Sequence, residues 1–167
     1  MKTFIVSLIV FLHFCGCSQN KTETTKLADP FLIDSWSIIK GTDNNKPFLA
    51  RANSGLSDFK GMKNYGYRVV ISLQFKQPDE DGFPDGTENF ELFGVEDSLD
   101  SYLVHSKLAL PVLVITGNGK RDYIFYAQDI ELIKPKISII NSKIESYDIQ
   151  FHFEHDEVWS LFKKYVK

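Results

Sequence analysis

Cysteine is nearly absent: the 167-residue chain has two, Cys15 and Cys17, and none beyond them. The domain downstream therefore has no disulfide, no cysteine nucleophile and no cysteine-ligated zinc or iron–sulfur centre. Its stability has to come from a packed core. Also missing is an apolar run of the roughly 20 residues that a membrane-spanning helix requires. Positive charge is not in excess: 19 Lys and Arg stand against 22 Asp and Glu, a formal net charge of −3. Without a basic footprint, nucleic acid is not expected as a partner. Short catalytic motifs are missing too. There is no H-E-x-x-H and no G-x-S-x-G, and Gly117-Asn118-Gly119-Lys120 lacks the four-residue gap between the glycines of a phosphate loop.

The N-terminus carries a clear signal. Lys2 is followed by an apolar run from Phe4 to Phe14, about the length of a signal-peptide core. The run ends in Phe14-Cys15-Gly16-Cys17, which resembles the lipobox of bacterial lipoproteins, with Gly16 before the cut and Cys17 as the acylated residue. The resemblance implies a multiply acylated Cys17; one acyl chain alone binds membranes only marginally. Residues 1–16 are thus expected as a lipoprotein signal peptide and 17–32, polar and without periodicity, as a flexible tether. Residues 33–167 are expected to form a single domain. The expected location is the cell envelope, on the periplasmic face of the outer membrane, because Ser18 and the absence of an acidic cluster after Cys17 disfavour surface export. The membrane, through acylated Cys17, is the first expected partner.

Aromatic residues make up 14% of the chain, and about 150 mature residues suffice to bury a core. Trp36 to Lys40 and Pro47 to Asn53 are apolar runs around the turn-forming Asp43-Asn44-Asn45-Lys46, which predicts a β-hairpin. Ser54 to Tyr65 reads as a loop. In Arg68 to Lys76, the residues Val69, Ile71, Leu73 and Phe75 alternate with polar ones, the period of a half-buried strand. An acidic loop follows. Thr87 is the expected N-cap of a helix whose apolar stripe is Leu92, Val95, Leu99, Tyr102 and Leu103. Leu108 to Thr116 is a continuously apolar strand, expected at a sheet edge or with Pro111 at a non-bonding position. Asn118-Gly119 marks a tight turn into Arg121 to Ala127. Asp129 to Ser142 predicts a second helix, started late by Pro135, with Ile133, Ile137 and Ile140 inward. Tyr147 to Glu154 alternates as a last strand, and Asp156 is expected to cap a short C-terminal helix carrying Trp159, Phe162 and Val166. The fold class is α+β: a ferredoxin-like β-α-β-β-α-β antiparallel sheet with an added N-terminal β-hairpin and a short C-terminal helix.

Several motifs in this order resemble the bacterial family named domain of unknown function 695. They are Trp36, Arg51-Ala52-Asn53, Gly82-Phe83-Pro84 with Glu88, and Glu96. Further along come Thr116-Gly117-Asn118-Gly119-Lys120-Arg121, Phe125-Tyr126 and Asp156-Glu157-Val158-Trp159. The resemblance runs from Trp36 to Tyr165. It implies the α+β fold shared with regulator of ribonuclease E activity B proteins, and protein binding more than catalysis; it assigns no activity.

Chemistry-bearing residues are sparse. Asp79, Asp81 and Asp85 do not match a calcium loop, since Phe83 and Pro84 occupy positions where a ligand and a glycine are required. His152 and His155 straddle a strand end and make a poor metal pair. No metal and no cofactor are expected. The carboxylates around the first helix read mainly as a solvated face, with Glu96 the exception, near the apolar stripe and able to pair with Arg121. The expected function is a lipid-anchored, non-catalytic domain binding an envelope protein or peptide. The alternative is a carboxylate-dependent hydrolase built on Glu88, Glu96, Arg121 and His152. That alternative requires the four groups to converge in one pocket.

Overall fold

Asn44 and Asn45 both adopt the left-handed conformation, which is the geometry of the tight turn that best matches strand twist. In the computed structural model, which describes residues 29–166, they join β1 (Trp36–Asp43) to β2 (Lys46–Asn53). Two single 3-10 turns lead to β3 (Tyr67–Gln74), and the acidic loop leads on to α1 (Gly86–Leu99). A π-helical turn, Asp100–Val104, extends α1 before β4 (Ala109–Gly117). Asn118 and Gly119, again left-handed, turn β4 into β5 (Lys120–Ala127). After α2 (Lys134–Lys143), β6 (Ile149–His155) completes an antiparallel sheet in the order β1-β2-β4-β5-β3-β6. The expected signal peptide, Cys17 and most of the expected tether lie outside the described residues. Among those described, no helix is long and apolar enough to cross a membrane.

The alternation read from the sequence sorts the side chains onto two faces. Val69, Ile71, Leu73 and Phe75 are buried beneath α1 and α2 together with Leu92, Val95, Leu99, Leu103, Ile133 and Ile140. The opposite face is covered by the irregular segments: Leu56, Tyr65, Trp159 and Phe162 pack on Ala50, Ala52, Leu110, Ile124 and Tyr126. Arg68, on that second face, is drawn into a polar network there with Asp156. Upstream of the expected boundary at residue 33, Pro30–Leu32 form a 3-10 turn capped by Asp29. Its Phe31 ring meets Tyr65 edge-on, and Lys107 pairs with Asp29.

Three expectations need correction. The strand Ala109–Gly117 is interior, because the hairpin adds to the sheet beside it. Pro111 is tolerated since β2 pairs with β4 only from Leu113 onward, and a register shift in the β4–β5 ladder falls between Pro111 and Leu113. The N-cap of α1 is Asp85, whose side chain accepts from Glu88 N at 2.7 Å; Thr87 already lies inside the helix. The expected stripe of α1 is buried, with Leu92, Val95, Leu99 and Leu103 in the core, while Phe90 and Phe93, off the stripe, are 77% and 48% exposed. Finally, the C-terminal element is no α-helix but the 3-10 turn Phe162–Lys164. Asp156 instead caps the turn before it, accepting from Ser160 N, and the left-handed Trp159 breaks any regular helix between the two.

The acidic loop is built by its own backbone. Asp79 accepts from Phe83 N at 2.7 Å, and Gly82 O accepts from Gly119 N at 2.9 Å, fastening the loop to the β4–β5 turn. Gly82 has φ +84, and a Cβ there would lie 2.8 Å from Asn118 N and 2.9 Å from its Cα, so only glycine allows this approach.

Candidate functional site

The helices cover β4, β5, β3 and β6, but the hairpin continues the sheet past α1 and leaves its own helix-side face open. Cross-strand pairing sets Trp36 opposite Asn53, Ile38 opposite Arg51 and Lys40 opposite Leu49. Between this shelf and the end of α1 lies a cleft of about 360 Å³. Trp36, Arg51, Glu96, Asp100 and His105 supply its aromatic and charged groups, while Leu113, Val114 and Phe125 contribute apolar wall. Alternation explains the Arg51-Ala52-Asn53 motif. Ala52 packs into the core of the opposite face. Arg51 and Asn53 point to the cleft, where Asn53 donates to Ile33 O at 2.8 Å and accepts from Ser35 N, tying down the segment that precedes β1.

Arg51 bridges the two walls. It pairs with Glu96 at 2.5 Å and lies 5.9 Å from the centre of the Trp36 ring, within cation–π range. Trp36 is oriented in turn by its indole N–H, which donates to Asp34. The π-helical turn bonds His105 N to Asp100 O. Such turns are rare and recur at functional sites. Glu96, Asp100 and Val104 line the cleft at four-residue intervals. Burial, the adjacent Glu96 charge and Asp97 push the Asp100 carboxyl up to about 6, with His105 and Arg51 opposing. Burial pushes the Tyr123 phenol up to about 12; its hydroxyl donates to Leu92 O at 3.1 Å.

The four residues expected to cluster do not converge. Glu88 is 5% exposed and is spent on structure, accepting from Lys76 N at 2.8 Å where the acidic loop leaves β3. Glu96 is in the cleft but pairs with Arg51, not Arg121. Arg121 sits lower, in an adjoining cavity, bonded to Thr116 and Asn89. His152 projects from edge strand β6 with its side chain 69% exposed, near Glu154. Among the described residues no group of three His, Cys, Asp or Glu is placed to hold a metal ion. Cys17 lies outside the described residues.

The cleft residues that sequence reasoning passed over are Asp34, Asp100 and His105. Asp100 read as one more solvated helix charge; only the extra residue of the π turn and the hairpin opposite give it a low-dielectric setting. Trp36, Arg51 and Asn53 stand out in the sequence only as motif positions.

The match to known families agrees with these limits. A model of the family of unknown function DUF695 matches residues 34–166. The chain belongs to that family. No curated protein and no solved structure matches it. The DUF695 match begins at Asp34, so the cleft lies within it except for the contributions of Phe31 and Ile33.

The raised Asp100 pKa has a stability consequence. Below about pH 4 the carboxyl is protonated in both the folded and the unfolded chain. As pH rises towards 6 the unfolded state ionises first, so this contribution to stability is lost and stays lost above pH 6. Asp100→Asn should therefore leave the melting temperature unchanged at pH 4 and raise it at pH 8. Solvent screening reduces the gain to on the order of 1 kcal/mol, a few degrees for a domain of this size. Thermal melts of both proteins across pH 4–8 check this; a variant less stable than wild type at pH 8 would contradict the assignment.

Proposed function

We propose that the chain is a lipid-anchored binding domain of the bacterial cell envelope, held through acylated Cys17, which takes a protein or peptide segment along the hairpin shelf. The observation that carries this reading is the open face itself. Trp36, Ile38 and Arg51 stand beside a concave cleft, and aromatic and arginine side chains next to a pocket are what binding hot spots are made of. The ion pair to Glu96 and the indole bond to Asp34 hold these groups in one geometry before any partner arrives.

Two experiments test the reading. Metabolic labelling with a fatty-acid analogue should mark the wild type and not Cys17→Ala; an unlabelled wild type, or label that survives the substitution, refutes the anchor. A photo-crosslinking residue at Ile38 should trap a discrete envelope protein or peptide, whereas one at Lys163, on the opposite side, should not. Equal yields from both positions would remove the shelf as the binding surface.

A second reading, a carboxylate-dependent hydrolase, is favoured by one observation. Glu96 and Asp100 are neighbouring carboxylates in unlike environments, the pattern of paired acid–base groups. It moves the alternative away from Glu88, Arg121 and His152 and into the cleft. Turnover of chromogenic ester, phosphoester or glycoside substrates that Asp100→Asn abolishes would support it; turnover indifferent to both carboxylates would sink it.

The same proposal takes β3-α1-β4-β5-α2-β6 as a ferredoxin-like unit extended by the hairpin. Support comes from the antiparallel neighbours β4-β5-β3-β6. An experimental structure pairing β4 directly with β3 would overturn it.

A further inference from the structure

The chain has three arginines. Arg51 pairs with Glu96, and Arg68 pairs with both Glu154 and Asp156. Arg121 is the most buried of the three, 6% exposed, and among the described residues no carboxylate pairs with it. Its protein partners are neutral: Nε donates to Thr116 Oγ1 at 2.9 Å and one terminal N–H donates to Asn89 Oδ1 at 2.7 Å. A guanidinium has five N–H donors and is never deprotonated in a protein. Burying such a charge without a counter-ion is costly. Glu96, the carboxylate the sequence offered as its partner, is engaged by Arg51.

The surroundings are those of a ligand site. Arg121 lines a cavity of about 160 Å³ between α1 and the hairpin shelf, walled by Leu49, Phe93 and Val114. Arg51 borders both this cavity and the larger cleft, so the two form successive stations along one groove. Strand pairing puts Leu49, Thr116 and Arg121 in one cross-sheet row, and the first turns of α1 bring Asn89 and Phe93 over it. The half-exposed Phe93 forms the rim.

We propose that this cavity is a carboxylate-binding site: Arg121 takes the anion, and Leu49, Phe93 and Val114 take the short apolar group that carries it. A planar two-oxygen anion matches the guanidinium fork, and the charge-assisted bonds are stronger than those Arg121 makes to its neutral partners. The small volume fits a terminal residue or a short-chain acid. In a peptide lying along the shelf, the group delivered here is the free C-terminal carboxylate. That last step rests on the binding-domain reading; the carboxylate site itself does not.

The test titrates the full chain in detergent with three probes: isovalerate, an N-acetylated peptide ending in Ala-Leu with a free C-terminus, and the same peptide as its amide. Calorimetry and thermal shift give the readout, since a ligand that binds only the folded state raises its melting temperature. The free acid should bind at least about tenfold more tightly than the amide, and Arg121→Gln should abolish the difference. Without ligand, Arg121→Gln should melt no lower than wild type, because it removes an uncompensated buried cation; a clearly lower melting temperature would show that Arg121 is satisfied within the fold and overturn the site. Isovalerate binding without peptide binding would uphold the carboxylate site and count against the peptide reading. Equal binding of acid and amide would do the reverse. Displacement of isovalerate by equimolar inorganic phosphate would overturn the preference for a carboxylate, and binding by no carboxylate probe would overturn the site.

Discussion

Trp159→Ala should lower folding stability by about 3–5 kcal/mol, the range for emptying a large aromatic site. Trp159 is fully buried and stacks on Tyr126 with ring centres 4.4 Å apart and planes 13° from parallel. Phe162 meets it edge-on and Phe59 at a tilt. Its indole N–H donates to Tyr65 O at 2.9 Å and Met62 O at 3.2 Å; Met62 O keeps the Tyr65 N–H after the substitution, but Tyr65 O loses its donor. One residue thus joins the loop after β2, the C-terminal segment and the sheet. Urea unfolding should show the midpoint falling with little change in slope. Trp159→Phe should lose less, keeping most of the apolar contact but not the indole bonds. Because Trp159 is left-handed, Trp159→Gly should be no worse than alanine: glycine sheds the backbone strain that alanine keeps. A glycine variant much less stable than the alanine variant would contradict that account.

Asp156→Ala should cost about 3 kcal/mol, the lower end for removing one partner of a buried charged pair. The Asp156 carboxylate accepts from Arg68 at 2.9 Å, Tyr126 Oη at 2.7 Å, and both Ser160 N and Oγ at 2.9 Å. Arg68 keeps Glu154 after the substitution, which sets the lower end. Tyr126 loses the carboxylate its hydroxyl donates to, and its phenol is already pushed well above its usual range by burial and by Asp156. Burial alone would raise the Asp156 pKa, but the hydrogen bonds from Ser160 and Tyr126 with the Arg68 charge outweigh it and hold it below the usual value. The sign follows. The contribution is present above about pH 4 and is lost as pH falls through the lowered folded value. Wild type and variant should therefore converge in stability in strong acid; a gap that widens on acidification would refute the assignment.

Much of the fold was legible because period-two alternation survives where one strand face is buried. Val69 to Phe75 and Tyr147 to Glu154 are read from such patterns, and the Asn-Asn and Asn-Gly turns from their tolerance of left-handed backbone. Failures arose where long-range geometry overrode local preference. Thr87 is an allowed cap by residue type, but Asp ranks above it and Asp85 stands three residues before Glu88, whose N–H it accepts from. Asp156 begins a turn as expected, but Trp159 is pulled into the core by Tyr126 and cannot continue a helix. The candidate site was the least legible part. Whether Glu96 meets Arg121 or Arg51 depends on which strand lies beside β4. The helix spans both rows, with Asn89 over the Arg121 row and Glu96 about two turns further on. No local pattern encodes that choice.

The sheet order also sets the sequence in which the domain can be completed as it is synthesised. β1 and β2 close on each other at once, as do β4 and β5, since each pair is joined by a two-residue turn. β3 has no such neighbour. Its partners, β5 and β6, are both made later, and Leu73 waits for Ile149, which follows both helices. Until β5 is made the strand with the most regular apolar face, Val69 to Phe75, has no ladder partner, and until β6 is made it has one open edge, with loop-closure entropy opposing both pairings. Chains arrested before β6 should bind holdase chaperones through β3, and release should coincide with the appearance of residues 149–155. Polar replacements at Val69 and Ile71 would abolish that binding and the fold together, which places the burden of escaping aggregation on the same residues that make the core.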